Sequence, residues 1–327
     1  MGPNRADGIR RVAVIGAGLM GHGIAQGFAV AGLEVSLTDR APKVLQEAPA
    51  RIQGNLCLME EMGRLGPDEI GQIMSRISLE PNLASAVKEA DFVCETVSED
   101  LRLKQALFAE MDALCPPATI LATNTSSLSL SQVGALVRRQ DKIITTHYLN
   151  PPHFVPLVEV MKGGKTSEDT LRATLALMRR CGWVPVVLKK EVPGYIANRL
   201  LMALYREAIT LVQDGVAEAE DVDLTVKAGI GIRMPVIGLL EVADLAGLNL
   251  MEAVLRNLSP EISSETTPPA LLSEMVRRDE LGIKTGKGFY DWRQRSQAEL
   301  IRLRDRHLIQ MRLALWEKGG PFSDQLG

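Results

Sequence analysis

Two side chains that can exchange a proton lie in neighbouring apolar stretches of the sequence. His147 ends one stretch, and Glu159 lies between Val158 and Val160 in the next. A carboxylate buried in a strand is costly unless it is paired, and a histidine would supply the partner. A neutral imidazole takes up a proton near pH 7, while a carboxylate on its other nitrogen fixes the tautomer. Either residue alone is more often structural, but together they predict an acid–base pair.

A glycine motif, Gly16–Ala17–Gly18–Leu19–Met20–Gly21, lies between an apolar run at 11–16 and an amphipathic stretch at 20–31. A strand followed by a helix is the context that a dinucleotide-binding loop requires. Gly16 allows the tight turn, Gly18 lets a pyrophosphate approach the backbone, and Gly21 permits close packing of helix on strand. The helix N-terminus then favours the phosphates. His22, inside this helix, is expected to serve helix packing.

Asp39 ends the next predicted strand, about 20 residues after the glycines, where an acid that binds a ribose is expected. A carboxylate there accepts hydrogen bonds from the 2′-hydroxyl and repels a 2′-phosphate. The sequence therefore predicts NAD rather than NADP, although the neighbouring Arg40 acts slightly against this. The alternative is that Asp39 is only a turn residue after a strand.

Strands and helices alternate along the first part of the chain. Further strands are predicted at 34–38, 91–96, 119–123, 142–148, 157–161 and 183–189. Ser129 is expected to begin a helix, since its hydroxyl can accept a hydrogen bond from a free backbone N–H. The alternation predicts an α/β protein with a Rossmann-like, doubly wound, mostly parallel sheet, followed by an all-helical C-terminal domain.

The alternation ends near Pro193 and Gly194, which form a natural junction. We place residues 1–191 in an NAD-binding Rossmann domain and residues 192–327 in a helical C-terminal domain. The last stretch, 294–318, is typical of a charged amphipathic helix, which either packs on a partner or is solvated.

Composition excludes several functional classes. The chain has 327 residues and a formal net charge of -3, so no basic surplus indicates a nucleic-acid partner. Its apolar stretches are too short for a membrane span, and segment 1–8 lacks the apolar run of a secretory signal. The four scattered cysteines indicate neither a disulfide framework nor a metal site. We therefore expect the cytoplasm.

Five segments resemble the 3-hydroxyacyl-CoA dehydrogenase family in order along the chain. They are GAGLMG (16–21), NTSSL (124–128), HYLNPPHFVPLVEV (147–160), VPGYIANRLL (192–201) and KTGKGFYDW (284–292). The resemblance covers nearly the whole chain. It implies an NAD-dependent dehydrogenase with a small-molecule substrate in the cleft between the domains, and a homodimer formed through the C-terminal domain.

The resemblance also implies residue roles. His147 would be the base in oxidation and the acid in reduction, and Glu159 would orient it. Ser126 and Asn198 would hydrogen-bond the reacting oxygen. Besides the three glycines and Asp39, the positions implied to contact the cofactor are Leu19, Met20, Glu99, Lys104, Ser126, Asn150 and Lys284. No metal is implied.

The substrate implied first is a 3-hydroxyacyl-CoA, oxidised to the 3-oxoacyl-CoA. Members that take CoA thioesters often carry a lysine on the helix after the second strand. That position falls near Met62, next to Glu60 and Glu61, and a neighbouring serine position falls near Asn55. Acidic residues there are unfavourable for a ligand with several phosphate charges.

Two alternatives follow. Relatives of the family act on small hydroxy acids without CoA, namely carnitine, gulonate and a hydroxymethyl- or formyl-pyridine carboxylate. Arg233, in a segment that departs from the usual family form, could then pair with a free carboxylate, or it could be a surface residue. The second alternative is a non-catalytic, crystallin-like NAD-binding protein, which would have no need for Ser126, His147, Glu159 and Asn198 together.

Overall fold

The computed structural model describes residues 8–317 and 319–325 of the chain. Almost all of segment 1–8 and the last residue of the predicted helix 294–318 therefore lie outside the described residues. The chain folds into two compact units. One is Met1–Ile196 together with Arg306–Gly327, and the other is Ala197–Asp305.

One sheet forms the centre of the first unit. Its described strands are β1 (Arg11–Ile15), β2 (Glu34–Thr38), β3 (Ile77–Leu79), β4 (Phe92–Glu95), β5 (Ile120–Thr123), β6 (Ile143–Tyr148), β7 (Leu157–Lys162) and β8 (Val184–Leu188). They lie in the order β3-β2-β1-β4-β5-β6-β7-β8. Neighbouring strands are parallel except for β6 and β7. The predicted Rossmann-like, mostly parallel sheet is confirmed.

Apolar side chains cover both faces of this sheet. In β1, Val12 and Val14 belong to one buried cluster, whereas Ala13 and Ile15 belong to another. Successive side chains of a strand point to opposite faces. A strand that is buried on both faces is apolar throughout, which explains why β1 appears in the sequence as a continuous apolar run.

The helices that cover the sheet are α1 (Gly21–Val30), α2 (Pro42–Glu61), α3 (Glu69–Ser75), α4 (Leu83–Val87), α5 (Leu101–Leu114), α6 (Leu130–Val133) and α7 (Glu168–Arg180). The sequence pattern missed β3 and α4. Both are too short, at three and five residues, to show a period. Asn82 marks the start of α4, since its side chain accepts the Ser85 N–H.

Helix α6 does begin after Ser129, but the expected cap is wrong. The Ser129 side chain makes no capping hydrogen bond. Instead, Glu191 accepts the Leu130 N–H at 2.8 Å and the Ser129 hydroxyl at 3.1 Å. A carboxylate can replace the serine because a negative charge is favourable at a helix N-terminus. This contact joins residues 61 positions apart, so the local sequence does not show it.

The antiparallel pair β6–β7 sets the register that matters for function. His147 on β6 lies directly opposite Glu159 on β7. Side chains that are directly opposite in such a pair have Cβ atoms about 4.5–5.5 Å apart. The return of the chain between Tyr148 and Leu157 therefore brings two residues that are twelve positions apart into contact.

The second unit is helical, as predicted. Its described helices are α8 (Ala197–Gln213), α9 (Ala219–Thr225), a π-helical turn (Val226–Ile230), α10 (Leu239–Ala246), α11 (Leu248–Leu258) and α12 (Ala270–Arg277). No residue of α8, α9, α10 or α11 is buried. None of the helices in the described ranges is long and apolar enough to cross a membrane.

The terminal helix α13 spans Gln297–Leu315, within the predicted 294–318. Its second half belongs to the first unit, where Ile309 is fully buried in the apolar core. Arg312 is also buried, and it donates to the carbonyl of Gly182 at 2.6 Å. The compact units therefore differ from the predicted domains 1–191 and 192–327, because the chain end returns to the first unit. That the first domain binds NAD and the second contributes the substrate cleft and the dimer contact stays a prediction.

Candidate functional site

The glycine loop leaves β1 and enters α1. Gly16 has a φ of +101°, and a Cβ on Gly21 would lie 1.7 Å from the Gly16 carbonyl oxygen. A side chain at Gly18, by contrast, would extend into open space, where a ligand can approach the backbone. Leu19 is exposed at the tip of the loop, and Met20 is half-buried before α1. The loop has the shape expected of a pyrophosphate cradle.

The Asp39 carboxylate is held beside this loop. One oxygen accepts the Ala17 N–H and the other accepts the Ala41 N–H, both at 2.8 Å. Asp39 and Arg40 line a groove of about 640 Å³ together with Gly16 and Gly18. The carboxylate is therefore fixed beside this groove, and its contact with the ribose of NAD stays a prediction.

Two further side chains hold the carbonyl oxygens of the glycine loop. Arg51 on α2 donates to the Ala17 carbonyl at 3.0 Å, and His22 Nδ1 donates to the Gly18 carbonyl at 2.7 Å. Burial lowers the pKa of His22, the bond to Gly18 opposes this, and the charge of Arg51 lowers it further. The expectation that His22 serves helix packing missed this hydrogen bond. The Arg51 contact spans 34 positions, so no local pattern indicates it.

Glu99 organises the loop that contains Ser126. Its carboxylate accepts the N–H groups of Ser126 and Ser127 at 3.1 Å, and the hydroxyls of Ser127 and Thr125. Burial tends to raise the pKa of Glu99, but these hydrogen bonds and the charge of Lys104 outweigh it, so the pKa is lowered. Glu99 is therefore ionised at neutral pH and holds the Ser126 backbone in place.

Lys104 lies beneath this loop in a buried ion pair. Its ammonium group donates to Glu95 at 2.6 Å and lies 3.5 Å from Glu99. Thr123 also donates to Glu95, at 2.8 Å. Burial raises the pKa of Glu95 against the charge of Lys104. Lys104 thus supports the ends of β4 and β5, and its direct contact with a cofactor stays a prediction.

His147 and Glu159 form the expected hydrogen bond. His147 Nδ1 lies 2.8 Å from Glu159 Oε2, and the two residues are 6% and 1% exposed. With Glu159 ionised, the carboxylate only accepts, so a neutral His147 ring would donate from Nδ1 and present Nε2 as a base. The arrangement can therefore take a proton from a donor and stabilise the resulting imidazolium.

The chain beyond β8 adds two contacts to this pair that the sequence analysis missed. The Ile196 N–H donates to Glu159 Oε1 at 2.8 Å. The Tyr195 ring centroid lies 5.0 Å from that of His147. Both residues fall within the segment 192–201 that carries the family resemblance, but its pattern does not show which groups they meet.

The other predicted site residues are exposed or belong to the second unit. Asn150 is exposed after β6, at the start of a cis peptide bond to Pro151. Asn198, near the start of α8, and the exposed Lys284 belong to the second unit. Their roles stay predictions. Within residues 8–317 and 319–325, no group of three or more acidic, histidine or cysteine side chains could hold a metal ion.

Family models decide the identity of the fold. The NAD-binding domain of 3-hydroxyacyl-CoA dehydrogenase matches residues 11–192, and the C-terminal domain of the same family matches residues 194–292. The chain belongs to the 3-hydroxyacyl-CoA dehydrogenase family. It is therefore an NAD-dependent dehydrogenase.

Curated members of the family are named for two classes of substrate, a pyridine carboxylate and a CoA thioester. The 5-formyl-3-hydroxy-2-methylpyridine 4-carboxylate 5-dehydrogenase of Mesorhizobium japonicum is 33% identical over 94% of this chain and 98% of its own. The 3-hydroxybutyryl-CoA dehydrogenase of Clostridioides difficile is 37% identical over 86% of this chain and 99% of its own. A probable enzyme of the same name from Bacillus subtilis is 36% identical over 88% and 99%.

Solved structures divide in the same way. A structure of 5-formyl-3-hydroxy-2-methylpyridine 4-carboxylic acid 5-dehydrogenase, described as an NAD+-dependent dismutase, has a TM-score of 0.86 at 33% identity, and covers 93% of this chain and 98% of its own. The (S)-3-hydroxybutyryl-CoA dehydrogenase PaaH1 of Ralstonia eutropha has a TM-score of 0.71 at 33% identity, with 87% and 99% covered. The family is thus shared by both groups, whereas the named substrates differ.

The carboxylate of Asp39 should set the preference for NAD. Asp39→Asn removes the charge but keeps the shape, so repulsion of a 2′-phosphate is lost. Like charges in contact cost several kcal/mol, and about 1.4 kcal/mol corresponds to a tenfold change in affinity. The ratio of kcat/KM for NAD to that for NADP should therefore fall by at least about tenfold. Glu110→Gln, which removes another carboxylate of the same groove, should leave the ratio unchanged. An unchanged ratio in Asp39→Asn would remove Asp39 from cofactor selection.

Proposed function

We propose that this protein oxidises the hydroxyl group of a small carboxylate substrate without CoA, with NAD as hydride acceptor and His147 and Glu159 as the acid–base pair. The family and the cofactor are established by the matches above. The choice of substrate class rests on the contacts that α13 makes with α2.

The proposed chemistry uses the two ring nitrogens of His147 differently. Bound NAD supplies the hydride acceptor. Nε2 takes the hydroxyl proton as the carbon loses its hydride, while Nδ1 donates to Glu159. The carboxylate keeps the tautomer and stabilises the positive charge that forms on the ring. In the reverse direction the same imidazolium returns the proton to the carbonyl oxygen.

Neutral donors would complete the site. Ser126 and Asn198 are proposed to hydrogen-bond the oxygen on which negative charge develops. The position of Ser126 is supported by Glu99, which holds the amides of Ser126 and Ser127. The Ser126 hydroxyl takes no part in that network within the described residues, which leaves it for substrate or cofactor.

The positions where family members that take CoA carry residues for its phosphates are engaged with other parts of this chain. Met62, at the expected lysine position, packs against the apolar core, and Asn55, near the expected serine position, donates to Gln26 at 2.9 Å. Glu61 pairs with Arg306 on α13. The end of α2 thus offers an acidic residue tied to the terminal helix and no lysine. This packing is the observation that carries the proposal.

Further contacts hold the chain end over the same region. Arg64 donates to Glu317 at 2.7 Å, and Arg312 lies 3.3 Å from the same carboxylate. Burial lowers the pKa of Arg312 to about 9, and the nearby charge of Arg64 acts in the same direction. A displaced chain end would therefore leave a buried arginine without its partners.

The comparisons agree with this choice. The C-terminal family model ends at residue 292, before α13 begins. The relatives named for 3-hydroxybutyryl-CoA match 86% to 88% of this chain although they are matched over 99% of their own length. The relative named for a pyridine carboxylate matches 94%. A larger share of this chain therefore has a counterpart in the enzyme of a small acid.

A 3-hydroxyacyl-CoA, the substrate first expected from the sequence, remains the second candidate. It is favoured by the 37% identity to a 3-hydroxybutyryl-CoA dehydrogenase. The catalytic step would be the same, because both substrates lose a hydride and a proton from one carbon and its hydroxyl. The two candidates differ in what binds the part of the substrate that does not react.

Arg233 is our candidate for the substrate carboxylate. Its side chain is exposed and belongs to no ion pair within the described residues. A guanidinium can bind a carboxylate through two parallel hydrogen bonds. An arginine without an acidic partner of its own is available for a ligand's carboxylate.

The proposal of a homodimer is supported by the surface of the second unit. Helices α8, α9, α10 and α11 bury no residue, and many of their leucines are exposed. Large exposed apolar surfaces mark sites of protein association. A second copy of the chain is the proposed partner, since a symmetric pair would bury the same face on both subunits.

We also keep the cytoplasm as the proposed location, with which four free cysteines agree.

His147→Ala should lower kcat by about 10²–10⁴-fold, the usual contribution of a positioned acid or base. Glu159→Gln should also lower kcat, since an amide cannot stabilise the imidazolium as a carboxylate does. His307→Ala, on the exposed side of α13, serves as a control and should behave like the unmodified protein. Each variant needs circular dichroism to show that it folds. A folded His147→Ala protein with near-normal kcat would exclude the proposed pair.

Substrate class can be tested by NADH formation. Hydroxymethyl-pyridine carboxylates, gulonate and carnitine should be compared with 3-hydroxybutyryl-CoA and with the same acyl group on pantetheine. We expect a small acid to give the highest kcat/KM, and the two thioesters to share one KM that salt does not change. Arg233→Ala should then raise KM for the accepted acid. A much lower KM for the full CoA ester, rising with salt as phosphate contacts are screened, would favour the second candidate.

Sedimentation should give about twice the chain mass of 35.7 kDa. Leu240, which is 83% exposed on α10, is a suitable probe of the proposed interface. Leu240→Asp should shift the protein towards the monomer, because a charge would be buried between the subunits. Leu136→Asp, at a residue that is 61% exposed in the first unit, is the matched control. A monomer in the unmodified protein at micromolar concentration would contradict the dimer.

A further inference from the structure

Tyr195 occupies a backbone conformation that is unusual for its type. It follows Gly194 in the segment between β8 and α8, and its φ is +51°. Bulky residues rarely adopt a positive φ. Such a conformation persists only where the surrounding structure holds it, and it is concentrated at functional sites.

The side chain of Tyr195 is held in the core of the first unit. It is 2% exposed and packs in the apolar cluster that includes Leu121, Leu130, Met161 and Leu188. Its ring lies against His147, with centroids 5.0 Å apart and planes inclined by 53°. Burial raises the pKa of Tyr195 to about 12, so the phenol is neutral and exchanges no proton near pH 7.

The backbone of Tyr195 sets a second contact. The next residue, Ile196, donates its N–H to Glu159 Oε1 at 2.8 Å, while Oε2 of the same carboxylate meets His147. One oxygen of Glu159 is thus oriented by the peptide after Tyr195 and the other by the imidazole. Tyr195 and the peptide that follows it thus contact both members of the pair.

We propose that Tyr195 is a positioning residue for the His147–Glu159 pair: its buried ring packs against the imidazole, and its left-handed backbone delivers the Ile196 N–H to the carboxylate. It acts through these two residues and need not touch the substrate. The proposal rests on the acid–base role of His147 given under the proposed function.

The ring also affects the charged form of His147. A cation against an aromatic face is stabilised, as it is by a well-oriented carboxylate. Loss of the ring therefore removes a contact beside the imidazolium that forms during the reaction. Around Tyr195 the other charged groups are Glu159 on β7, Glu99 before α5 and Glu191 after β8, and the variants below leave all three in place.

Two substitutions separate the ring from the hydroxyl. Tyr195→Phe keeps the ring and should leave kcat and the pH profile unchanged. Tyr195→Leu should lower kcat about tenfold or more, because small misplacements of catalytic groups are costly. In alcohol oxidation the acid side of its pH profile should move to lower pH, because the imidazolium loses the aromatic ring beside it.

Phe108→Leu is the matched control for lost packing. Phe108 is fully buried in the same apolar cluster as Tyr195. It should lower the thermal midpoint as Tyr195→Leu does but leave the pH profile in place. If Tyr195→Leu behaves like Phe108→Leu, with a lower midpoint and an unmoved profile, Tyr195 is only a packing residue and the proposal is overturned.

The variant His147→Ala distinguishes a failure of this proposal from a failure of the proposed function. If His147→Ala retains activity, the acid–base role itself fails. If His147→Ala is inactive while Tyr195→Leu keeps the unmodified kcat and pH profile, only the positioning role fails. Should Tyr195→Leu not fold, Tyr195→Met retains bulk without an aromatic face, and it should shift the profile in the same direction.

Discussion

A buried carboxylate facing a buried histidine is the constraint on which the rest of this structure depends. Glu159 is 1% exposed, and an ion in that position is stable only where donors surround it. The antiparallel register of β6 and β7 supplies His147, and the peptide of Ile196 supplies another N–H. A slip of one residue would turn Glu159 to the other face of the sheet. The reversal of direction in an otherwise parallel sheet thus serves the pair.

The same sheet brings the glycine loop and the His147–Glu159 pair to the carboxyl ends of its parallel strands. Strands β1, β4, β5 and β6 run parallel, so their carboxyl ends lie together, where ligands of such sheets bind. Gly16 follows β1, Glu99 follows β4, Ser126 follows β5, and His147 lies near the end of β6. The glycine loop and the His147–Glu159 pair therefore lie at the same end of the sheet. The buried pair of Glu95 and Lys104 supports this edge from below.

Much of the fold and of the candidate site could be predicted from short-range patterns in the sequence. Apolar runs and the glycine spacing predicted the sheet, the dinucleotide loop and Asp39, and two apolar stretches predicted the pairing of His147 with Glu159. Contacts of long range could not be predicted in this way. Arg51 reaches the glycine loop across 34 positions, and Ile309 returns from the chain end to the core of the first unit. Which face of a helix meets which strand is decided by packing, not by local spacing.

The central claim concerns the proton on His147, and nitrogen NMR of the imidazole measures it directly. With the protein ¹⁵N-labelled at histidine and resonances assigned through His147→Gln, the account predicts that the neutral ring carries its proton on Nδ1, towards Glu159, and that Nε2 is the unprotonated nitrogen. Glu159→Gln should disturb this tautomer. A neutral ring protonated on Nε2 in the unmodified protein would leave no base facing the substrate and would contradict the account.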